Sequence, residues 1–255
     1  MKKTLISLAM AMTTTLLMGQ MTPQEAAKIE AENPLVKEWN TPFQTPPFNS
    51  IKTEHYKPAM LYAIEQAKQE VNAIIVNRAR PDFENTIVAL ERAGGLLNRI
   101  SGVFFNINEC MTSDQLQQIY MEIIPDLTAY GNDVSMNPLL FAKVKEVYDQ
   151  RDDIALTTEQ RMLLEKTYKS FIRSGALLEG AAKEEYRKVS EELSMLTNQY
   201  QMNVLAEQNA FFLNITNKKD LAGLPDYVIA AAREEAKARK QKGWTFTLQY
   251  PSFSP

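Results

Sequence analysis

Apolar residues three and four positions apart recur along most of the chain, and this spacing constrains its fold more than any other feature. In the helix predicted over Thr53–Arg78, the apolar stripe consists of Met60, Ile64, Ala67, Val71 and Ile74. In the longest predicted helix, Glu179–Asn209, the stripe consists of Tyr186, Val189, Leu193, Leu196 and Tyr200. Such spacing puts the apolar side chains on one face and favours packing along a partner helix. Glycine, at 9 of 255 residues, is too scarce for a β-sandwich with many glycine turns. The sequence therefore predicts an all-α fold, mainly long antiparallel helices.

The remaining helices are shorter and are predicted from caps and apolar spacing. They cover Pro23–Asn33, Thr86–Phe105, Ser113–Leu127, Asn137–Gln150, Thr157–Ser174 and Asp226–Lys240. Gly94 and Gly95 fall inside the second of these and are unfavourable in a helix interior. They predict either a kink or a close approach of another helix at that point.

Two short segments near the C-terminus depart from the helical pattern. Phe211–Ile215 is a short apolar run, and Trp244–Leu248 alternates apolar and polar residues with period two. Both patterns are typical of strands. We expect the two strands to pair antiparallel, with the helix Asp226–Lys240 between them in the chain.

A proline-rich segment, Asn40–Asn49, separates the first two helices. It contains Pro42, Pro46 and Pro47 together with Phe43 and Phe48. Prolines fix an extended backbone, and phenylalanine rings gain free energy on burial. The sequence predicts a strap laid over the helices with both rings buried; the alternative is a simple linker.

Cysteine and histidine occur once each, as Cys110 and His55, and this excludes several kinds of site. One cysteine forms no internal disulfide, and one histidine cannot complete an H-E-x-x-H zinc helix. Cys110 follows an apolar stretch, which favours a buried, inert thiol over a catalytic Cys/His pair. His55, in the first turn of a helix, is expected to be a capping or surface residue. The sequence offers no catalytic, cofactor-binding or metal-binding residue, and a net charge of −3 gives no reason to expect nucleic acid as a partner.

The N-terminus has the pattern of a signal peptide. Lys2 and Lys3 precede a mildly apolar stretch, Leu5–Met18, and Gly19 offers a small residue for cleavage. The stretch is too short to span a bilayer, and no cysteine follows it that could carry a lipid anchor. We therefore expect export to the periplasm, with residues 1–19 removed.

One longer motif resembles a known family. Phe83–Gly94, with the sequence FENTIVALERAG, resembles the N-terminal region of the M3 (thimet oligopeptidase) zinc metallopeptidases. Further stretches agree with that family in the same order, namely Pro46–Phe48, Val103–Asn106, Asn137–Phe141, Val147–Arg151, Leu163–Tyr168 and Leu221–Pro225. The resemblance covers about Asn33–Pro255 and favours the bacterial peptidyl-dipeptidase branch.

The resemblance implies a role for the chain within a longer enzyme. Family members hold zinc with two histidines and a glutamate on and after an H-E-x-x-H helix, which would lie beyond residue 255. The implied cofactor is zinc in the full-length enzyme, with none bound by this chain, which alone would be inactive. The implied partners are an oligopeptide substrate and the C-terminal catalytic domain of the same protein.

These expectations divide the chain into three parts. They are a signal peptide (1–19), an N-terminal helix with the proline-rich strap (20–52), and the helical N-terminal region of an M3 peptidase (53–255). The alternative interpretation is a free-standing helical binding or adaptor protein without catalytic activity. A reading frame that continues past Pro255 into H-E-x-x-H would favour the enzyme, and a stop codon there would favour the adaptor.

The signal-peptide interpretation predicts the start of the mature protein. Because cleavage is expected after Gly19, the exported chain should begin at Gln20. N-terminal sequencing of the periplasmic protein measures this directly. Exported protein that still begins at Met1 would contradict the prediction.

Overall fold

The computed structural model describes residues 21–253, and helices make up most of them. In chain order these are α1 (Pro23–Glu32), α2 (Thr53–Val76), α3 (Ala89–Arg92), α4 (Gly95–Cys110), α5 (Asp114–Ser135), α6 (Pro138–Asp149), α7 (Thr158–Arg173), α8 (Gly180–Ala210), α9 (Asp226–Ala238) and α10 (Tyr250–Phe253). The strands are β1 (Phe212–Ile215) and β2 (Trp244–Thr247). The predicted all-α class with two short strands is confirmed. The predicted signal peptide lies outside the described residues.

The described residues form two compact units, one that extends to Glu179 and one that begins at Gly180. In the first unit, the N-terminal half of α2 forms one apolar core with α4 and α5. Its fully buried side chains include Leu35, Met60, Ile100, Phe104 and Ile123. The predicted stripe on α2 is therefore its buried face.

A second apolar core of the first unit lies around the C-terminal half of α2. Val71 and Ile74 pack there with Ile87 and with side chains of α6 and α7. The α6 and α7 members are Leu140, Phe141, Val144, Val147, Leu164 and Phe171. One helix thus contributes buried side chains to both cores.

The predicted helix Thr86–Phe105 is interrupted in the structure. A π-helical turn, Phe83–Val88, leads into α3, and α4 begins only at Gly95. Between them Gly94 adopts φ +77°, a left-handed conformation that glycine takes without steric cost. A Cβ at Gly94 would stand 3.6 Å from the Tyr130 hydroxyl, an ordinary contact. The glycine pair therefore marks a break in the helix, which is the first of the two predicted alternatives.

The proline-rich segment contradicts the prediction that both of its rings are buried. Phe43 is 98% exposed and Phe48 is 53% exposed. Phe43 and Gln44 have φ values of +58° and +55°, which are left-handed conformations that cost side-chain-bearing residues about 1–3 kcal/mol each. This turn directs the chain so that the Phe43 ring points into solvent, an outcome that residue types alone do not reveal.

The second unit contains α8 and a small sheet. β1 and β2 pair antiparallel, with Phe212 opposite Thr247 and Ile215 opposite Trp244, as predicted. Val228, Ala232 and Ala236 form the buried face of α9. On α8, by contrast, the predicted packing stripe is solvent-accessible: Leu193 is 61% exposed and Leu196 is 58% exposed.

Gly243, just before β2, is required by a close backbone approach. It adopts φ +91°, and a Cβ there would stand 2.2 Å from the Ile215 carbonyl oxygen. Gly223 has nearly the same φ, +92°, but a Cβ there would meet nothing within 4 Å. Alanine at Gly223 would therefore be unfavourable only because of its backbone conformation, whereas alanine at Gly243 would also clash with the Ile215 backbone.

We predict that Gly243→Ala opens the β1–β2 pair and that Gly223→Ala does not. Gly223→Ala should cost about 1–2 kcal/mol from its left-handed backbone alone. Gly243→Ala should cost about 3 kcal/mol or more, because the methyl group meets fixed backbone. Hydrogen exchange of the β2 amides measures the local opening free energy. Equal protection of β2 in the two variants would contradict this account.

Candidate functional site

A cavity of about 810 Å³ lies between α1, α2 and α5 in the first unit. Its apolar floor includes Leu61 and Ile64 of α2. The surrounding wall carries charged side chains of both signs and the single histidine: Glu25, Lys28, Glu32, Glu54, His55, Lys57, Glu65, Lys68 and Asp126. It is the candidate binding site of the first unit, with an apolar base and a polar rim.

Helix α1, which forms one wall, begins at a complete capping box. Thr22 Oγ1 accepts the Glu25 backbone N–H, and the Glu25 carboxylate accepts the Thr22 backbone N–H at 2.8 Å. These hydrogen bonds from Thr22 hold the pKa of Glu25 below its usual value. The motif was visible in the sequence as Thr-Pro-Gln-Glu, and it fixes where the wall starts.

The other end of α1 is tied to α2 by polar contacts. Asn33 Nδ2 donates to the His55 carbonyl oxygen at 2.8 Å, while Asn33 Oδ1 accepts the Leu35 backbone N–H at 3.0 Å. The Tyr62 hydroxyl donates a short hydrogen bond to the Glu30 carboxylate. These contacts, which the sequence pattern did not predict, hold the two walls together.

His55 is a helix cap, as the sequence predicts. Its Nδ1 accepts the backbone N–H of Lys52 at 3.1 Å, at the start of α2. This hydrogen bond satisfies a backbone donor that the helix leaves free. The imidazole therefore stabilises the start of α2, at the edge of the cavity.

Cys110 is exposed, and the prediction of a buried thiol is wrong. It is the last residue of α4, and the buried residues of that helix end at Phe104. Within residues 21–253, no hydrogen bond joins Cys110 to His55. The two residues therefore form no catalytic pair in the structure.

Two lysines of the cavity wall are neutralised by neighbours. Lys57 Nζ lies 2.7 Å from Glu122 Oε2 on α5, and Lys68 Nζ lies 2.8 Å from Glu65 Oε1. Hydrogen bonds from Lys57 and Gln118 lower the pKa of Glu122. The Lys57–Glu122 ion pair joins α2 to α5, so it also helps to hold these two walls of the cavity together.

The described residues do not fit a zinc site. Among residues 21–253, no three His, Cys, Asp or Glu side chains come together in a way that could hold a metal ion. A catalytic zinc needs three protein ligands, so no chemical step at zinc is assigned to these residues. The cavity offers both apolar and charged side chains to a ligand.

Comparison with known proteins finds similarity to peptidases. No family model matches it. It is 34% identical over 207 residues to dipeptidyl carboxypeptidase from Escherichia coli (strain K12), which is 81% of this chain and 30% of that protein. It is 31% identical over 223 residues to oligopeptidase A from Salmonella typhimurium, which is 88% of this chain and 32% of that protein.

Dipeptidyl carboxypeptidase and oligopeptidase A are both M3 family peptidases, so the predicted resemblance is confirmed and the chain is homologous to part of an M3 peptidase. Dipeptidyl carboxypeptidase from Salmonella typhimurium, at 34% identity over 85% of the chain, agrees with this relationship. The chain spans about a third of the length of the curated relatives it matches.

Tyr62 provides a test of the contact that joins α1 to α2. Burial, and then the hydrogen bond to Glu30 and its negative charge, raise the pKa of Tyr62 to about 12. The folded state therefore holds its proton more tightly than the unfolded state, whose pKa is near 10. This contribution to stability is complete below pH 10 and is lost as the pH rises from 10 to 12.

We predict that Glu30→Gln lowers the Tyr62 pKa, leaving it above 10 because the ring stays buried. Glu32→Gln is the matched control, since the structure shows no hydrogen bond from Tyr62 to Glu32, and it should leave the pKa near 12. NMR titration of ring-labelled tyrosines, with Tyr62→Phe identifying the signal, measures both. A Tyr62 pKa that is the same in Glu30→Gln and in the unchanged chain would contradict the role of Glu30.

Proposed function

We propose that this chain is the N-terminal portion of an exported zinc peptidyl-dipeptidase, which hydrolyses short oligopeptides from their C-terminus. The observation that carries the proposal is the 34% identity to dipeptidyl carboxypeptidase over 81% of the chain. The identity to oligopeptidase A is 31% over 88% of the chain, which supports the same kind of reaction, peptide-bond hydrolysis.

In this proposal the chain supplies helical scaffold and the zinc ligands come from elsewhere in the protein. The described residues bring no suitable ligand group together, and the relatives are about three times as long as the matched region. Residues 53–255 would then line part of the space that admits a peptide. The partners are an oligopeptide substrate and the C-terminal catalytic domain of the same protein.

We propose that the protein works in the periplasm after removal of residues 1–19. The support is the pattern of Lys2, Lys3 and the apolar stretch that follows them. Among the described residues, no helix combines the length and the hydropathy needed to cross a membrane.

The test compares this chain with a longer polypeptide, defined as residues 1–255 joined to the sequence encoded downstream. We expect the longer polypeptide to bind one zinc and to release a dipeptide from a blocked tripeptide with a free C-terminus. We expect residues 1–255 alone to do neither, because a single histidine and an unpaired cysteine cannot supply a zinc site. Mass spectrometry measures the zinc, and chromatography measures the released dipeptide.

His55→Ala is the control in both polypeptides, since the structure gives this residue a capping role. It should leave turnover by the longer polypeptide within a few-fold of the unchanged enzyme. The proposal would be contradicted if residues 1–255 alone bound one zinc per chain. It would also be contradicted if residues 1–255 alone cleaved the peptide and a chelator and His55→Ala abolished that turnover. A longer polypeptide that binds peptides without cleaving them would favour the adaptor interpretation.

A further inference from the structure

The aromatic strap, Thr41–Ser50, presents a phenylalanine to solvent on a left-handed turn. Phe43 is 98% exposed, and both Phe43 and Gln44 have positive φ. A phenylalanine rarely adopts this conformation, and here its ring gains no burial among the described residues. The backbone strain and the exposure of the ring are therefore two separate unfavourable features at one residue.

Hydrogen bonds within the turn hold this conformation in place. The Thr41 hydroxyl donates a short hydrogen bond to the Thr45 carbonyl oxygen, and the Thr45 hydroxyl donates to the Pro42 carbonyl oxygen at 3.1 Å. The Gln44 backbone N–H donates to the Thr41 carbonyl oxygen at 3.0 Å. Pro42 fixes its own φ before the turn. Phe43 is thus presented on a preorganised turn.

Both ends of the aromatic strap are anchored to the first unit. Before it, Trp39 donates from Nε1 to the Pro34 carbonyl oxygen at 3.1 Å, and the Arg99 guanidinium lies 4.6 Å from the Trp39 ring. Arg99 also donates to the Lys37 carbonyl oxygen at 3.0 Å. After it, Ile51 packs against the first apolar core. The turn therefore projects from a fixed base, which reduces the ordering cost of binding.

We propose that Phe43 is a docking residue whose ring enters an apolar pocket in the part of the longer polypeptide that lies outside residues 1–255. This rests on the proposed function, because the occupant is the polypeptide that corresponds to the other two thirds of the relatives. Burial of the ring there would remove the unfavourable exposure of Phe43, which no contact among the described residues offsets.

The chemistry of the strap agrees with an apolar, uncharged partner surface. From Thr41 to Ile51 the chain carries no charged residue. The 810 Å³ cavity of the first unit has eight charged side chains in its wall, so the same cavity on a second copy is a poor match for this ring. This mismatch favours a pocket that is supplied by polypeptide outside residues 1–255.

The first experiment compares Phe43→Gly with Gln44→Gly in residues 1–255 and in the longer polypeptide. Both variants relieve the left-handed strain, but only Phe43→Gly removes the ring. In residues 1–255, both should leave the melting temperature unchanged or raise it by a few degrees. In the longer polypeptide, Gln44→Gly should do the same, whereas Phe43→Gly should lower the melting temperature by several degrees.

The second experiment measures access to position 43 directly. The variant Phe43→Cys is made in a Cys110→Ser background, because Cys110 is exposed and would also react. The new thiol should react with a thiol reagent at least tenfold more slowly in the longer polypeptide than in residues 1–255. Equal rates, together with an unchanged melting temperature for Phe43→Gly in the longer polypeptide, would overturn the docking role. Protection that rises with the concentration of residues 1–255 alone would identify a second copy as the occupant and would also overturn it.

Peptidase activity separates this proposal from the proposed function. If the longer polypeptide is active, but Phe43→Gly does not lower its melting temperature and Phe43→Cys is not protected in it, the docking role is wrong and the enzyme proposal stands. If the longer polypeptide has no peptidase activity, but shows the loss of melting temperature and the thiol protection, the docking role is supported and the enzyme proposal is wrong.

Discussion

Burial of the apolar face of α2 is the interaction on which the first unit depends. Ala59, Ala63 and Ala67 recur every four residues along this face and are essentially inaccessible to solvent. Small side chains at this spacing let neighbouring helices approach closely, while Met60 and Ile64 fill the space beside them. Because the same helix extends into the second core through Val71 and Ile74, it joins both cores through one continuous backbone.

Polar contacts fix the segments that α2 does not bury. Asn33 ties the end of α1 to the His55 carbonyl group, and Arg99 holds the chain that leads into the aromatic strap. Buried polar groups are costly unless they are hydrogen-bonded, so these contacts specify one arrangement. They explain how a segment with little apolar burial of its own, the aromatic strap, has a defined conformation.

Several large apolar side chains remain exposed in each unit after these contacts are made. Phe43 stands on the aromatic strap, and Leu193 and Leu196 belong to an apolar stripe of α8. Exposed apolar patches commonly mark interfaces. Both features suit a chain that matches about a third of its relatives, because a surface that is internal in the longer protein would be open here.

The sequence by itself determined the helical class, most helix positions and the paired strands, while the relationship to M3 peptidases came from the resemblance of its motifs to that family. Local rules govern these features: apolar spacing defines a helix face, and the capping residues of α1 and the period-two pattern of β2 act over a few positions. The sequence predicts that His55 is a capping or surface residue, and the structure shows that it caps α2. Only the tertiary structure decided the break at Gly94, the exposure of Cys110 and the outward turn at Phe43. It also formed the cavity, whose walls come from three helices far apart in the chain. These features depend on which surfaces meet, and a spacing pattern within one segment carries no information about the segment packed against it.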